Sequence, residues 1–254
     1  MNDEKVHPTS FVSHLTELRS RIVKSIIYLF IFFVICYFFA ENIYGFLVEP
    51  YAEAVKDDEV NRRFIFTALQ ETFVTYLKVS FFAAMFISSP IILTQIWKFI
   101  APGLYKNEKR ALVPYLIATP TLFLLGGMLV YYLVMPLMIK FFLSFETSAQ
   151  INSLSIQLEP KVNEYLSLIM KLIFAFGLSF QLPVLLSLLA RVGFIDSEYL
   201  QKRRKYVIVI IFAVAAILTP PDPVTQIGLG IPLLILYELS ILSVKIIEKK
   251  KKDA

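Results

Sequence analysis

Six apolar runs decide what this chain can become: Ile22–Ala40, Phe73–Trp97, Leu112–Pro136, Tyr165–Ala190, Tyr206–Leu218 and Ile227–Val244. The first four reach the roughly 20 residues that carry a helix across a ~30 Å hydrocarbon core. Lipid offers no water to unpaired backbone groups, so helices that close their hydrogen bonds within one segment are the natural spanning elements. The expected fold is therefore an all-α integral membrane protein with six transmembrane helices. Tyr206–Leu218 covers only about 20 Å at ~1.5 Å per residue, and Ile227–Val244 is also brief, so the last two spans are expected to be short. Pro90, Pro114, Pro120, Pro183 and Pro232 lie in or near the runs. Bends there can be repaired by neighbouring helices, which predicts bent helices forming a curved wall. Composition agrees, with 57% hydrophobic and 18% charged residues, against about half and a quarter in soluble domains.

The basic residues orient the runs. Eighteen lysines and arginines fall on one side, in the N-terminal segment, the 98–110 and 191–205 connections and the C-terminal tail; five fall on the other. The positive-inside rule then places both termini in the cytoplasm. The net charge of +5 is spent on topology rather than on nucleic acid. One membrane domain over 1–254 is expected: an amphipathic cytoplasmic N-terminus (1–21), a six-helix bundle (22–244) and a basic cytoplasmic tail (245–254). Residues 1–21 lack a small-residue cleavage site, so the first run is expected to be kept as a span. Cys36 is the only cysteine and His7 and His14 the only histidines, which leaves no set for a metal cluster. No G-x-x-x-x-G-K-[ST] or G-x-S-x-G motif is present, and neither an enzyme activity nor a cofactor is expected.

Polar residues near the runs carry the functional questions. Pro8–Arg21 reads as an amphipathic helix with Phe11, Leu15, Leu18 and Ile22 on one stripe, and Glu17 and Arg21 at pairing distance on another face. Between the second and third runs, Pro102-Gly103 is expected to end any helix arriving from Trp97. Glu108 follows among Lys106, Lys109 and Arg110, as a neutraliser or as a contact for something cationic. Lys78 and Lys171 can snorkel. Gln181 needs hydrogen-bond partners, as interhelical glue or in a polar cavity. Asp222 is placed to cap the sixth helix.

Four stretches together resemble one family. His14-Leu15-Thr16-Glu17-Leu18-Arg19-Ser20-Arg21 looks like the N-terminal motif of TatC, the polytopic subunit of the twin-arginine protein translocase. Phe99 to Arg110 is similar to its first cytoplasmic loop, Ala175 to Pro183 to its fourth span, and Leu218-Thr219-Pro220-Pro221-Asp222 to its last external turn. The resemblance covers about residues 10 to 245. It implies a receptor for signal peptides bearing two consecutive arginines, on folded export substrates, with Glu17, Glu108, Phe99 and Arg19 at the binding site. A carboxylate accepts a guanidinium fork bidentately, which lysine cannot reproduce. The resemblance further implies assembly with the small single-span subunits TatA and TatB, through Gln181, Thr219, Asp222 and Gln226. It also implies self-association in a larger complex, a bacterial inner-membrane location and transport driven by the proton-motive force. The family often has glutamate where this chain has Gln181, and an amide cannot ionise. The rival reading is an ion-coupled small-solute transporter using Lys78, Lys171, Gln181 and Asp222; it calls for inverted repeats, and none is evident.

Overall fold

The computed structural model describes residues 11–56, 62–104, 109–146, 156–219 and 222–252. Long apolar runs make long helices even where they carry a glycine or proline, and these residues are almost all helical. α1 is Phe11–Phe38, α2 Ala40–Ala54, α3 Glu71–Leu104, α4 Lys109–Leu129 and α5 Met135–Leu143. α6 is Val162–Ser179, α7 Leu182–Val192, α8 Ser197–Leu218 and α9 Pro223–Lys252. The described residues hold no strand, only an isolated parallel bridge between Ile65 and Lys161.

Five stretches are long and apolar enough to cross a membrane: Leu15–Phe38, Glu71–Phe99, Pro114–Leu143, Val162–Val192 and Thr225–Lys249. The fifth apolar run forms the second half of α8, whose first half is basic. Shortness thus belongs to that apolar run. The last two helices themselves span 22 and 30 residues, because both continue past their apolar parts into charged sequence.

The breaks follow from proline. Pro183 has no N–H to offer Ser179, so α6 ends there and α7 restarts at Leu182. Pro136 likewise removes a rung after α4. The chain slips into a π-turn over Val130–Val134, closed by Met135 N–H donating to the Val130 carbonyl. One expectation is corrected: Pro102-Gly103 does not end α3, which continues to Leu104. A proline in the last turn removes a single bond where carbonyls are already running out of partners, and glycine's low helix propensity costs only about 1 kcal/mol there.

Packing runs in series, α1 against α3, α3 against α4 and α6, α7 against α9, and α9 against α8. α1 and α8 therefore stand at the ends of the row. Where α4 crosses α6, main chains touch. A Cβ on Gly126 would sit 2.7 Å from the Phe176 carbonyl oxygen, and one on Gly177 would sit 2.7 Å from the Phe123 ring. Small residues give membrane helices this closeness. The stretch 41–72, between the first two apolar runs, contains α2, which buries Leu47 and Tyr51 against the bundle.

Candidate functional site

At the basic end of the bundle, two helices bring a carboxylate, a guanidinium and an amide together. Glu17 and Arg21 are one turn apart on α1. Arg21 donates to Glu17 Oε1 from Nη2 at 2.5 Å and from Nε at 3.0 Å. Its Nη1 donates to Gln95 Oε1 on α3 at 3.1 Å. The pair is partly wet, with the Arg21 and Glu17 side chains 22% and 36% exposed.

Trp97 fixes the α3 side of this cluster. It is buried with Val184 and Leu188 and packed by Tyr115 and Leu116, which pins α3 between α4 and α7. Gln95 lies two residues from Trp97, about 200° around the helix, on the face turned to α1. Phe99 follows Gln95 by one turn on that face and is half-buried. Arg19 is exposed and lies some 200° around α1 from Glu17, so it does not join the cluster. Glu108 lies outside the described residues. Gln95 was missed in the sequence, although its i,i+4 spacing from Phe99 was available as a signal.

The other expected set separates in space. Gln181 sits at the α6–α7 break and donates from Nε2 to the Thr119 carbonyl on α4 at 2.9 Å. Its Oε1, and the buried Thr119 hydroxyl, have no partner among the described residues. Thr219, Asp222 and Gln226 lie instead at the α8–α9 corner. The Thr219 hydroxyl donates to the Ala215 carbonyl at 2.9 Å, and Gln226 Nε2 to the Phe212 carbonyl at 3.1 Å. Asp222 caps α9: Oδ1 accepts from Thr225 N–H at 2.7 Å, and Oδ2 accepts from the Thr225 hydroxyl. Lys78 donates to Asn163 Oδ1 at 2.7 Å, while Lys171 is exposed. The four groups of the transporter reading thus have separate surroundings.

At the opposite end, loops are clasped by a pair the sequence did not suggest. Arg62 meets Glu146 in a two-point contact of 2.6 and 2.7 Å, and Leu158 N–H donates to the same carboxylate at 2.7 Å. The Arg62 hydrogen bonds, helped by Leu158, hold the Glu146 carboxyl below its usual range against the opposing effect of burial.

A row of membrane-crossing helices, with a carboxylate, a guanidinium and an amide gathered at its basic end, defines a polytopic integral membrane protein. The family follows from likeness along nearly the whole chain. Residues 13–232 match the family model of the Sec-independent protein translocase protein TatC. The TatC proteins of Magnetococcus marinus and Rickettsia prowazekii are 46% and 44% identical over 253 and 239 residues. These alignments cover 100% and 94% of this chain, and 90% and 94% of those proteins. A crystal structure described as the twin-arginine translocase receptor TatC matches with a TM-score of 0.79 at 37% identity, covering 92% of this chain and 99% of that one. The chain belongs to the TatC family and is a subunit of the Sec-independent, twin-arginine protein translocase.

Proposed function

We propose that this subunit is the receptor for twin-arginine signal peptides, and that Glu17, with Glu108, accepts the signal's guanidinium groups. The observation that carries the reading is that Glu17 already holds a guanidinium, from Arg21, with Gln95 completing the fork. Arg21 acts as an internal stand-in that an incoming arginine displaces. Charge-assisted hydrogen bonds contribute ~1.5–3 kcal/mol each, enough for two acids to separate Arg-Arg from Lys-Lys. Phe99 supplies an apolar wall beside the fork, while Arg19, on another face of α1, acts only through the basic field that discourages weakly matched cations. The excess of basic residues at this end supports a cytoplasmic position for it and for both termini, in the bacterial inner membrane on this reading.

The same reading gives the α8–α9 corner to TatA and TatB, and transport to the proton-motive force acting through a larger assembly. What supports it is the outer face of α8, where Val209, Ile210 and Ile217 are exposed on the helix that ends at Thr219 and whose Phe212 carbonyl accepts from Gln226. Gln181 serves the same partners from the α6–α7 break, whereas Asp222 contributes by holding the start of α9. The deciding experiment crosslinks an Arg-Arg signal peptide to the intact subunit and to the Glu17→Gln, Glu108→Gln double variant. Crosslinking and export should both collapse in the variant; undiminished values would sink the assignment.

A further inference from the structure

An apolar groove of about 380 Å³ opens between α2, α3 and the π-turn. Leu47, Phe82, Phe86 and Tyr131 form its walls, with Gly127 and Ile173 also lining it. Phe46, Ile87, Met128 and Tyr132 line it while remaining about half-exposed or more. Phe46 also belongs to an open depression on α2 lined by Glu41, Asn42 and Glu49, with no basic side chain. The junction between groove and depression is rigid. Phe46 stacks on Tyr131 at 4.4 Å between centroids, and the Tyr131 hydroxyl donates to the Phe46 carbonyl at 2.8 Å and to Glu49 Oε2 at 3.2 Å.

We infer that groove and depression together hold one membrane phospholipid with a primary-ammonium headgroup, its acyl chain in the groove and its ammonium against Glu49, with Glu41 adding to the field. Three observations select that occupant. Apart from the α2 side, the walls come from membrane-crossing segments, so the medium that meets the opening is lipid. The groove is narrow and apolar, lined by close-set aromatic and aliphatic side chains, and its shape suits a hydrocarbon chain better than a helix about 10 Å across. Its polar mouth carries two carboxylates, which repel an anionic headgroup and attract a cationic one. Glu49 uses one acceptor site on Tyr131, and a carboxylate offers about four. An ammonium with N–H donors can fill the rest, whereas a trimethylated one cannot.

The test uses the whole subunit in mild detergent, incubated with equal amounts of phosphatidylethanolamine, phosphatidylcholine and phosphatidylglycerol, with retained lipid counted by native mass spectrometry. Retention should fall in that order, with ethanolamine several-fold above glycerol. Glu41→Gln with Glu49→Gln should erase the preference while some lipid of every class still binds, since glutamine still accepts from Tyr131. Met128→Trp, filling the groove, should lower all three without changing the unfolding temperature. Equal retention of the ethanolamine and glycerol lipids overturns the inference, as does a preference that survives the double glutamine variant. Photocrosslinking from position 128 to a protein in native membranes, in place of lipid, also overturns it.

Discussion

Two arginine–glutamate pairs sit at opposite ends of the bundle, and they are built for opposite purposes. Arg21–Glu17 lies within one helix, donates twice to a single carboxylate oxygen and is partly exposed. Arg62–Glu146 joins segments 84 residues apart, engages both oxygens and recruits the Leu158 N–H, with side chains only 8% and 19% exposed. Around it, Ile65 exchanges backbone hydrogen bonds with Pro160 and Val162. The first pair can be exchanged at little cost because water and a new partner both reach it. The second cannot, since removing either member leaves a largely buried charge. A binding site and a clasp thus use the same two side chains, and burial decides which is which.

The largest test of that contrast is Glu146→Ala. Breaking a buried ion pair by removing one partner costs about 3 kcal/mol or more, and thermal unfolding of the purified subunit should show it. An effect below ~1 kcal/mol would place the clasp with ordinary surface pairs. Acid should act in the same direction but less strongly. Because the native Glu146 carboxyl lies below its ordinary value of 4.5, its contribution is present above that value and is lost as pH falls through the lower native value. Unfolding temperature should therefore drop on acidification below about pH 4.5, and less steeply in Glu146→Ala. The smallest effect on stability is expected from Arg21→Ala, under ~0.5 kcal/mol for a partly exposed i,i+4 pair. Its functional effect should be the reverse of a loss, because freeing Glu17 raises capture of an Arg-Arg peptide in the crosslinking assay. Reduced capture would make Arg21 part of the binding surface and not a stand-in.

Local patterns were readable in the sequence and distant pairings were not. The apolar runs, the Glu17–Arg21 spacing and the Asp222 cap each depend on residues within a few turns, and all three stand in the structure. Gln181 announced that it needed a partner, but nothing in the sequence named Thr119, 62 residues away. Arg62 and Glu146 looked like ordinary loop charges because their meaning is their encounter. α2 escaped notice because glutamates and Pro50 interrupt its apolar pattern, and its helix is held by packing of Leu47 and Tyr51. The Phe99–Arg110 stretch misled in the other direction, since proline and glycine in a final turn cost less than the same residues in mid-helix.

The contact of Gly126 with Gly177 has a mechanical consequence. Side chains elsewhere can change rotamer to absorb a displacement, but here backbone meets backbone, so α4 and α6 can turn about the crossing and cannot come closer. That makes the crossing a pivot. Gln181 stands one turn beyond it, about 6 Å along the chain, where a relative turn of the two helices would displace it least, and the ends at Lys109 and Val162 most.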